Sequence, residues 1–210
     1  MKKSVIVVDL DGTLSNVNTF HAFVGFLVKQ SFCKLKWLWL VAIFFWSGLR
    51  MLKLISHSRW KFEILKNCQN KNVPIDQFVN NLHKTINQFI LDEIEKYDYR
   101  ILATAAPELY VARLSEKYRF SDYSATIFQG GFLSFSENKQ GIKYGNVKKM
   151  LEKLQKDSID LFMTDHIDDA LLISEAKKSW LINADKSLKK YIEKQKLEDV
   201  IVYISLENKI

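Results

Sequence analysis

The segment Ser4-Val-Ile-Val-Val-Asp9 is short, β-branched and apolar at consecutive positions, so both of its faces need cover. Such a strand belongs inside a parallel sheet with helices on each side. Similar runs recur at Arg100–Thr104, Ile159–Met163, Trp180–Asn183 and Val200–Ile204. Helical patterns separate most of them: Leu109, Val111, Ala112 and Leu114 share one side of 107–118, and Val147, Met150, Leu151 and Leu154 repeat at helical spacing. Strands alternating with helices predict an α/β fold built on a doubly wound parallel sheet. A chain of 210 residues suits one such domain, or a core domain with a modest insertion.

Residues 15–96 break the alternation. They hold no convincing strand, and helices are expected over 17–30, 35–55, 58–69 and 76–96, the last opening at Pro74-Ile75-Asp76. The expected organisation is a core of 1–14 and 97–210 with an all-helical insertion at 15–96. Seven Gly and two Pro argue against long linkers. Two cysteines, Cys33 and Cys68, exclude a disulfide scaffold and suit reduced thiols in a cytoplasmic protein. Lys2 and Lys3 precede an apolar run, but Asp9 and Asp11 interrupt it too soon for a secretory signal.

The first strand ends in Asp9-Leu-Asp11-Gly12-Thr13-Leu14. At the carboxyl edge of an open α/β sheet, such carboxylates reach a crevice where ligands bind. Gly12 permits a sharp turn and brings backbone N–H groups near an anion. A later strand ends in Thr164-Asp165-His166-Ile167-Asp168-Asp169, and Asp165 and Asp169 can converge on the same edge. Clustered carboxylates repel one another unless a cation is present, and a hard divalent ion such as magnesium (Mg²⁺) is the natural partner. His166 is open to three readings: a substrate contact, a loop-orienting group or a neutral spacer. Neither cysteine has partners at zinc-site spacing, and no glycine-rich phosphate loop or dinucleotide fingerprint is present.

In these residues the sequence resembles the haloacid dehalogenase superfamily of phosphotransferases. Four ordered pieces carry the likeness: Asp9-Leu-Asp-Gly-Thr-Leu14, Thr104 in Ala103-Thr-Ala-Ala-Pro107, Lys148 in Gly145-Asn-Val-Lys148, and Asp165-His-Ile-Asp-Asp169. The resemblance implies that Asp9 is a nucleophile forming an aspartyl-phosphate and that Asp11 is the general acid and base. It implies that Asp9, Asp165 and the Asp11 carbonyl hold Mg²⁺, with Asp169 as a further ligand or a supporting partner. Gly12, Thr13, Thr104, Ala105 and Lys148 are implied at the phosphate. Lys143 and Lys149 are rivals to Lys148, because Lys148 departs from the family pattern in being followed by a second lysine. Dehalogenases of the superfamily lack the acid at Asp11, so phosphoryl transfer is the expected chemistry. The insertion is similar in position to the helical cap of the phosphoserine phosphatase-like group.

The insertion has its own character. Residues 37–46 read Trp-Leu-Trp-Leu-Val-Ala-Ile-Phe-Phe-Trp, and four of the five tryptophans lie at 37, 39, 46 and 60. Over 26–66 there are eight cations against one acid, Glu63, a net +7 that equals the formal charge of the whole chain. The charge-free stretch 37–49 is shorter than the ~20 residues that span a bilayer. It suits either the centre of a helical cap or insertion into a membrane interface, and the sequence leaves both open. A basic-flanked apolar helix here is also similar to the bacterial phosphatidylglycerophosphatase C group and to the phosphatase-like domain fused to some prenyltransferases. The expected activity is therefore Mg²⁺-dependent hydrolysis of a phosphomonoester. A membrane lipid or polyprenyl phosphate is the leading substrate class, and the protein is placed in the cytoplasm or at the inner face of the membrane. The alternatives are a soluble small-metabolite phosphatase and a catalytically silent lipid- or partner-binding protein. A specific nucleic-acid partner is not expected, since no recognition motif accompanies the charge.

Overall fold

The computed structural model describes residues 3–69 and 71–206. Lys2, and the outermost residues of the expected core ranges 1–14 and 97–210, lie outside the described residues. Six strands form one parallel sheet: β1 (Val5–Val8), β2 (Tyr99–Pro107), β3 (Asp122–Thr126), β4 (Leu161–Thr164), β5 (Ser179–Ile182) and β6 (Ile201–Ile204). Their order is β3-β2-β1-β4-β5-β6. Every pairing is parallel. The helices α6 (Glu108–Lys117), α7 (Gln140–Lys153), α8 (Ala170–Glu175) and α9 (Lys186–Gln195) alternate with the strands after β2.

The period-two geometry of β1 sorts its side chains between two cores. Ile6 and Val8 join a cluster with Tyr110, Val111 and Leu114 of α6 and much of the helical insertion. Val5 and Val7 face the other way, onto Val147 and Leu151 of α7, Leu172 and Ile173 of α8, and Leu188 and Ile192 of α9. All four β1 side chains are fully buried, as the unbroken apolar run predicts.

Five helices lie between β1 and β2: α1 (Thr19–Cys33), α2 (Trp37–Met51), α3 (His57–Cys68), α4 (Ile75–Asn81) and α5 (Gln88–Ile94). The expected single helix over 76–96 is thus broken, with a 3₁₀ turn at Leu82–Thr85 between α4 and α5. The break has a structural cause. Ser15 pairs with Ile86, Asn16 N–H donates to the Thr85 carbonyl at 2.9 Å, and Asn87 N–H donates to the Leu14 carbonyl at 2.8 Å. These bonds tie the outgoing and returning chain into one stem beside the end of β1.

β3 was not expected. Its sequence, Asp-Tyr-Ser-Ala-Thr, lacks the apolar run of the other strands because it lies at the edge of the sheet. The strand order reverses at β1, whose neighbours are β2 and β4. The crevice of a doubly wound sheet opens at such a switch point, beyond the carboxyl ends of the strands.

Candidate active site

The residue after β1 is Asp9, whose N–H donates to the Met163 carbonyl of β4 at 2.9 Å. The chain then turns at Gly12, which has φ +80°. A Cβ at Gly12 would lie 1.9 Å from Oδ2 of Asp165, so only glycine lets the first and fourth motifs approach this closely. Asp165 follows β4 directly. Thr104 sits near the end of β2, where the register with β3 shifts between Ala103 and Pro107. Its hydroxyl accepts from the Ala106 N–H at 3.0 Å. Asp9, Asp11, Gly12, Thr104, Ala105, Asp165 and Asp169 share the wall of one cavity of about 510 Å³.

The lysine that reaches Asp9 in this cavity is Lys143. Its ammonium is buried, 2.6 Å from Asp9 and 2.8 Å from Asp169. Lys148, singled out by the Gly-x-x-Lys spacing, is a correction: it lies on the outer side of α7, with its Nζ 3.4 Å from the Tyr144 hydroxyl and 3.5 Å from Glu175. α7 begins at Gln140, which sets Lys143 in its first turn at the sheet edge. Five residues further on, Lys148 is displaced about 7.5 Å along the axis and about 140° around it. Thr13 is a second correction. It is buried, but it lines a smaller cavity of about 170 Å³ with Thr85, Asn87 and Asn183, and not the cavity that holds Asp9. Its hydroxyl has no hydrogen-bond partner among the described residues.

The electrostatics follow from burial. Desolvation raises the Asp9 carboxyl well above its ordinary range, Lys143 opposes this, and Asp169 and Asp165 add to it. Burial also raises Asp165, to about 6, and Asp169 adds to the effect. For Lys143, burial would depress the ammonium, but Asp169 and Asp9 outweigh it and hold the group protonated. Asp169 also accepts from the Thr164 hydroxyl at 2.6 Å, so it fixes the lysine. Asp11 points toward α1, accepting from the backbone N–H and hydroxyl of Thr19 at 2.8 and 2.6 Å. Burial raises its carboxyl and the two Thr19 bonds counter that. His166 Nδ1 accepts from the Asp168 N–H at 3.1 Å, so the histidine caps the turn that presents Asp169.

The wall also holds ionisable residues outside the motifs, among them His57 and Lys61 of α3 and Glu137 before α7. Lys61 pairs with Glu137 and donates to the Ala105 carbonyl at 3.0 Å. His57 Nδ1 is 3.5 Å from Glu137. No motif marked them in the sequence: the structure buries all six residues of Trp60-Lys-Phe-Glu-Ile-Leu65, and charges buried in this way need partners.

No family model and no curated protein sequence matches this chain. Solved structures do match in fold. A Bordetella pertussis Tohama I protein of unknown function aligns over 99% of both chains, with a TM-score of 0.73 and 11% identity. A haloacid dehalogenase family hydrolase from Salmonella enterica serovar Typhi aligns over 90% of this chain and 65% of its own, with a TM-score of 0.59 and 12% identity. A phospho-aspartyl intermediate analogue of phosphoserine phosphatase aligns over 90% and 91%, with a TM-score of 0.56 and 15% identity. The six-stranded parallel sheet with helices inserted after β1 is therefore the fold of the haloacid dehalogenase-type hydrolases, phosphatases among them.

Proposed function

We propose that this protein hydrolyses phosphomonoesters through an aspartyl-phosphate on Asp9. The observation that carries the reading is the convergence of Asp9, Asp11, Thr104, Lys143 and Asp165 on one cavity at the topological switch point. Lys143 engages Oδ1 of Asp9, and Oδ2 receives no hydrogen bond among the described residues. Oδ2 is thus the oxygen free to attack phosphorus. As the P–O ester bond breaks, Asp11 in its acid form gives its proton to the departing oxygen. Its raised pKa suits that role. Asp11, now a carboxylate, takes a proton from water as that water attacks phosphorus, which returns Asp9 and releases phosphate. Lys143 has three N–H donors and spends two on carboxylates, leaving one for a phosphoryl oxygen. Thr104 offers a hydroxyl from the facing wall.

The donor set fits magnesium. Among the described residues no three His, Cys, Asp or Glu side chains group closely enough for a metal, because Lys143 stands between Asp9 and Asp169. Two carboxylates, Asp9 and Asp165, with the Asp11 carbonyl and waters, is the sparse oxygen set that Mg²⁺ prefers. That carbonyl accepts no main-chain hydrogen bond among the described residues. Mg²⁺ there would supply charge neutralisation for the phosphoryl group. In this reading 15–96 acts as a cap over the core of 1–14 and 97–210, and its Phe20, His57 and Lys61 close the cavity from above.

The substrate we infer is amphiphilic, a membrane lipid or polyprenyl phosphate, handled at the inner face of a membrane. Support comes from the apolar, cation-flanked surface of the cap. The test is phosphate release from an aryl phosphate with Mg²⁺, then from lipid and soluble phosphomonoesters. Wild-type turnover that falls at least 10³-fold in Asp9→Asn is expected. An Asp9→Asn variant as active as wild type, or a wild type inert on every ester, would sink the hydrolase reading. Preference for soluble metabolites would replace the lipid substrate with the small-molecule alternative.

A further inference from the structure

α2 divides into two faces. Trp39, Leu40 and Ile43 are buried, and Trp39 and Ile43 join the main core. On the other side Trp37, Leu38, Val41, Phe44 and Phe45 are exposed, Leu38 to 89%. Their three- and four-residue spacing makes them one stripe. The chain on either side extends it, with Phe32 and Leu35 before the helix and Leu52 and Leu54 after it, all exposed. A soluble monomer rarely leaves a contiguous apolar surface of this kind uncovered.

The charges around the stripe have one sign. Lys34 and Lys36 precede it, Arg50 and Lys53 follow it, and no acid occurs from residue 26 to residue 62. Trp37 stands near its first end and Phe44 and Phe45 toward the other, while Trp46 turns inward against the core. This is an apolar face with aromatic ends and a cationic rim, which complements an anionic lipid surface. A second copy of the chain is a poorer occupant. In a two-fold interface the patch faces itself, and the four cations would crowd their own copies. The fifteen residues of α2 are about 22 Å long, short of the ~30 Å hydrocarbon core. No helix among the described residues is long and apolar enough to cross a membrane. With its inner face bound to protein, α2 can enter a bilayer only sideways and to shallow depth.

We infer that the exposed face of α2, with Lys34, Lys36, Arg50 and Lys53 at its ends, docks this protein on the surface of an anionic bilayer. The surface lies one helix from the cavity. Ser47 of α2 accepts from the Trp60 indole of α3 at 3.2 Å, and α3 contributes Lys61 to the cavity wall. The inference deepens the amphiphilic-substrate reading, yet it does not need the chemistry, so binding and turnover are measured separately.

The experiment is sedimentation of the full chain with vesicles of equal parts phosphatidylglycerol and phosphatidylcholine, against phosphatidylcholine alone. Binding to the anionic vesicles, weakening as salt rises, is expected. The double variant Leu38→Asp, Phe45→Asp should bind about tenfold more weakly or worse, while its melting temperature and aryl phosphate turnover stay at wild-type values. Lys34→Gln with Lys36→Gln should lose the salt dependence in part. Failure of the wild type to bind, or equal binding by the Asp variant, overturns the inference. So does dimerisation in analytical ultracentrifugation that the Asp variant abolishes without any vesicle binding. Vesicle binding by a protein that hydrolyses no ester leaves the docking surface standing and removes the phosphatase reading. Hydrolysis without binding does the reverse.

Discussion

One ammonium, that of Lys143, balances two buried carboxylates, Asp9 and Asp169, in the wall of the main cavity. On the proposed mechanism, replacing it with methionine removes a donor to the phosphoryl oxygens and the counter-charge of Asp9. Turnover of an aryl phosphate should fall about 10²–10³-fold in Lys143→Met and stay within about twofold in Lys148→Met, whose ammonium lies outside the site. Comparable losses in both variants would return the role to Lys148. Gly12→Ala should also inactivate, because its Cβ would strike Asp165 from a positive-φ position. The four aspartates were legible in the sequence because each follows an apolar strand, and the strand sets its direction. The lysine was not, since spacing within a helix fixes relative angles while the start of the helix sets the absolute one. Lys61 and Glu137 were hidden for a simpler reason. They pair across 76 positions of sequence.

Elements built from unbroken apolar runs declared themselves, and those whose stability comes from neighbours did not. β1 was evident from Val5-Ile-Val-Val8. β3 is polar, yet it serves the site. Thr126 donates from its hydroxyl to the Ala105 carbonyl at 2.6 Å, and Ser124 donates to Asn138, which in turn holds the Thr104 carbonyl. The composition of α2 left its two faces undecided, because an all-apolar helix has no pattern to read. The structure decides: Trp39 is 5% exposed and its neighbour Leu38 faces out. Trp39→Ala should therefore cost about 3–5 kcal/mol by loss of packing, and Leu38→Ala should stay within about 0.5 kcal/mol. Urea midpoints for the two variants check this, and equal costs would mean that the outer face is covered by protein after all.

At the scale of the whole molecule, the insertion and the core meet at Glu137. From the core side it receives Lys61 and His57 of α3, with Lys139 3.9 Å away. Burial would raise this carboxyl, but the His57 contact and Lys61 outweigh it and lower it from an ordinary 4.5 to about 2. A carboxylate depressed on folding contributes stability above its unfolded pKa and loses it as pH falls through the folded one. The contribution is thus complete near pH 5 and above, and drains away between about 4.5 and 2, with a ceiling of about 3 kcal/mol. Glu137→Gln should be less stable than wild type at pH 7, since Lys61 is left buried without its counter-charge. The gap should then narrow as pH falls through that window, where wild type loses the same pair. Taking the difference between the two proteins cancels the other acids that titrate there. A double variant, Lys61→Met with Glu137→Leu, removes both charges and should recover much of the stability at pH 7. Urea unfolding at pH 7, 4.5 and 3 measures all three. A gap that stays constant with pH would show that Glu137 is not the charged tie between the helical insertion and the strand end that carries Thr104.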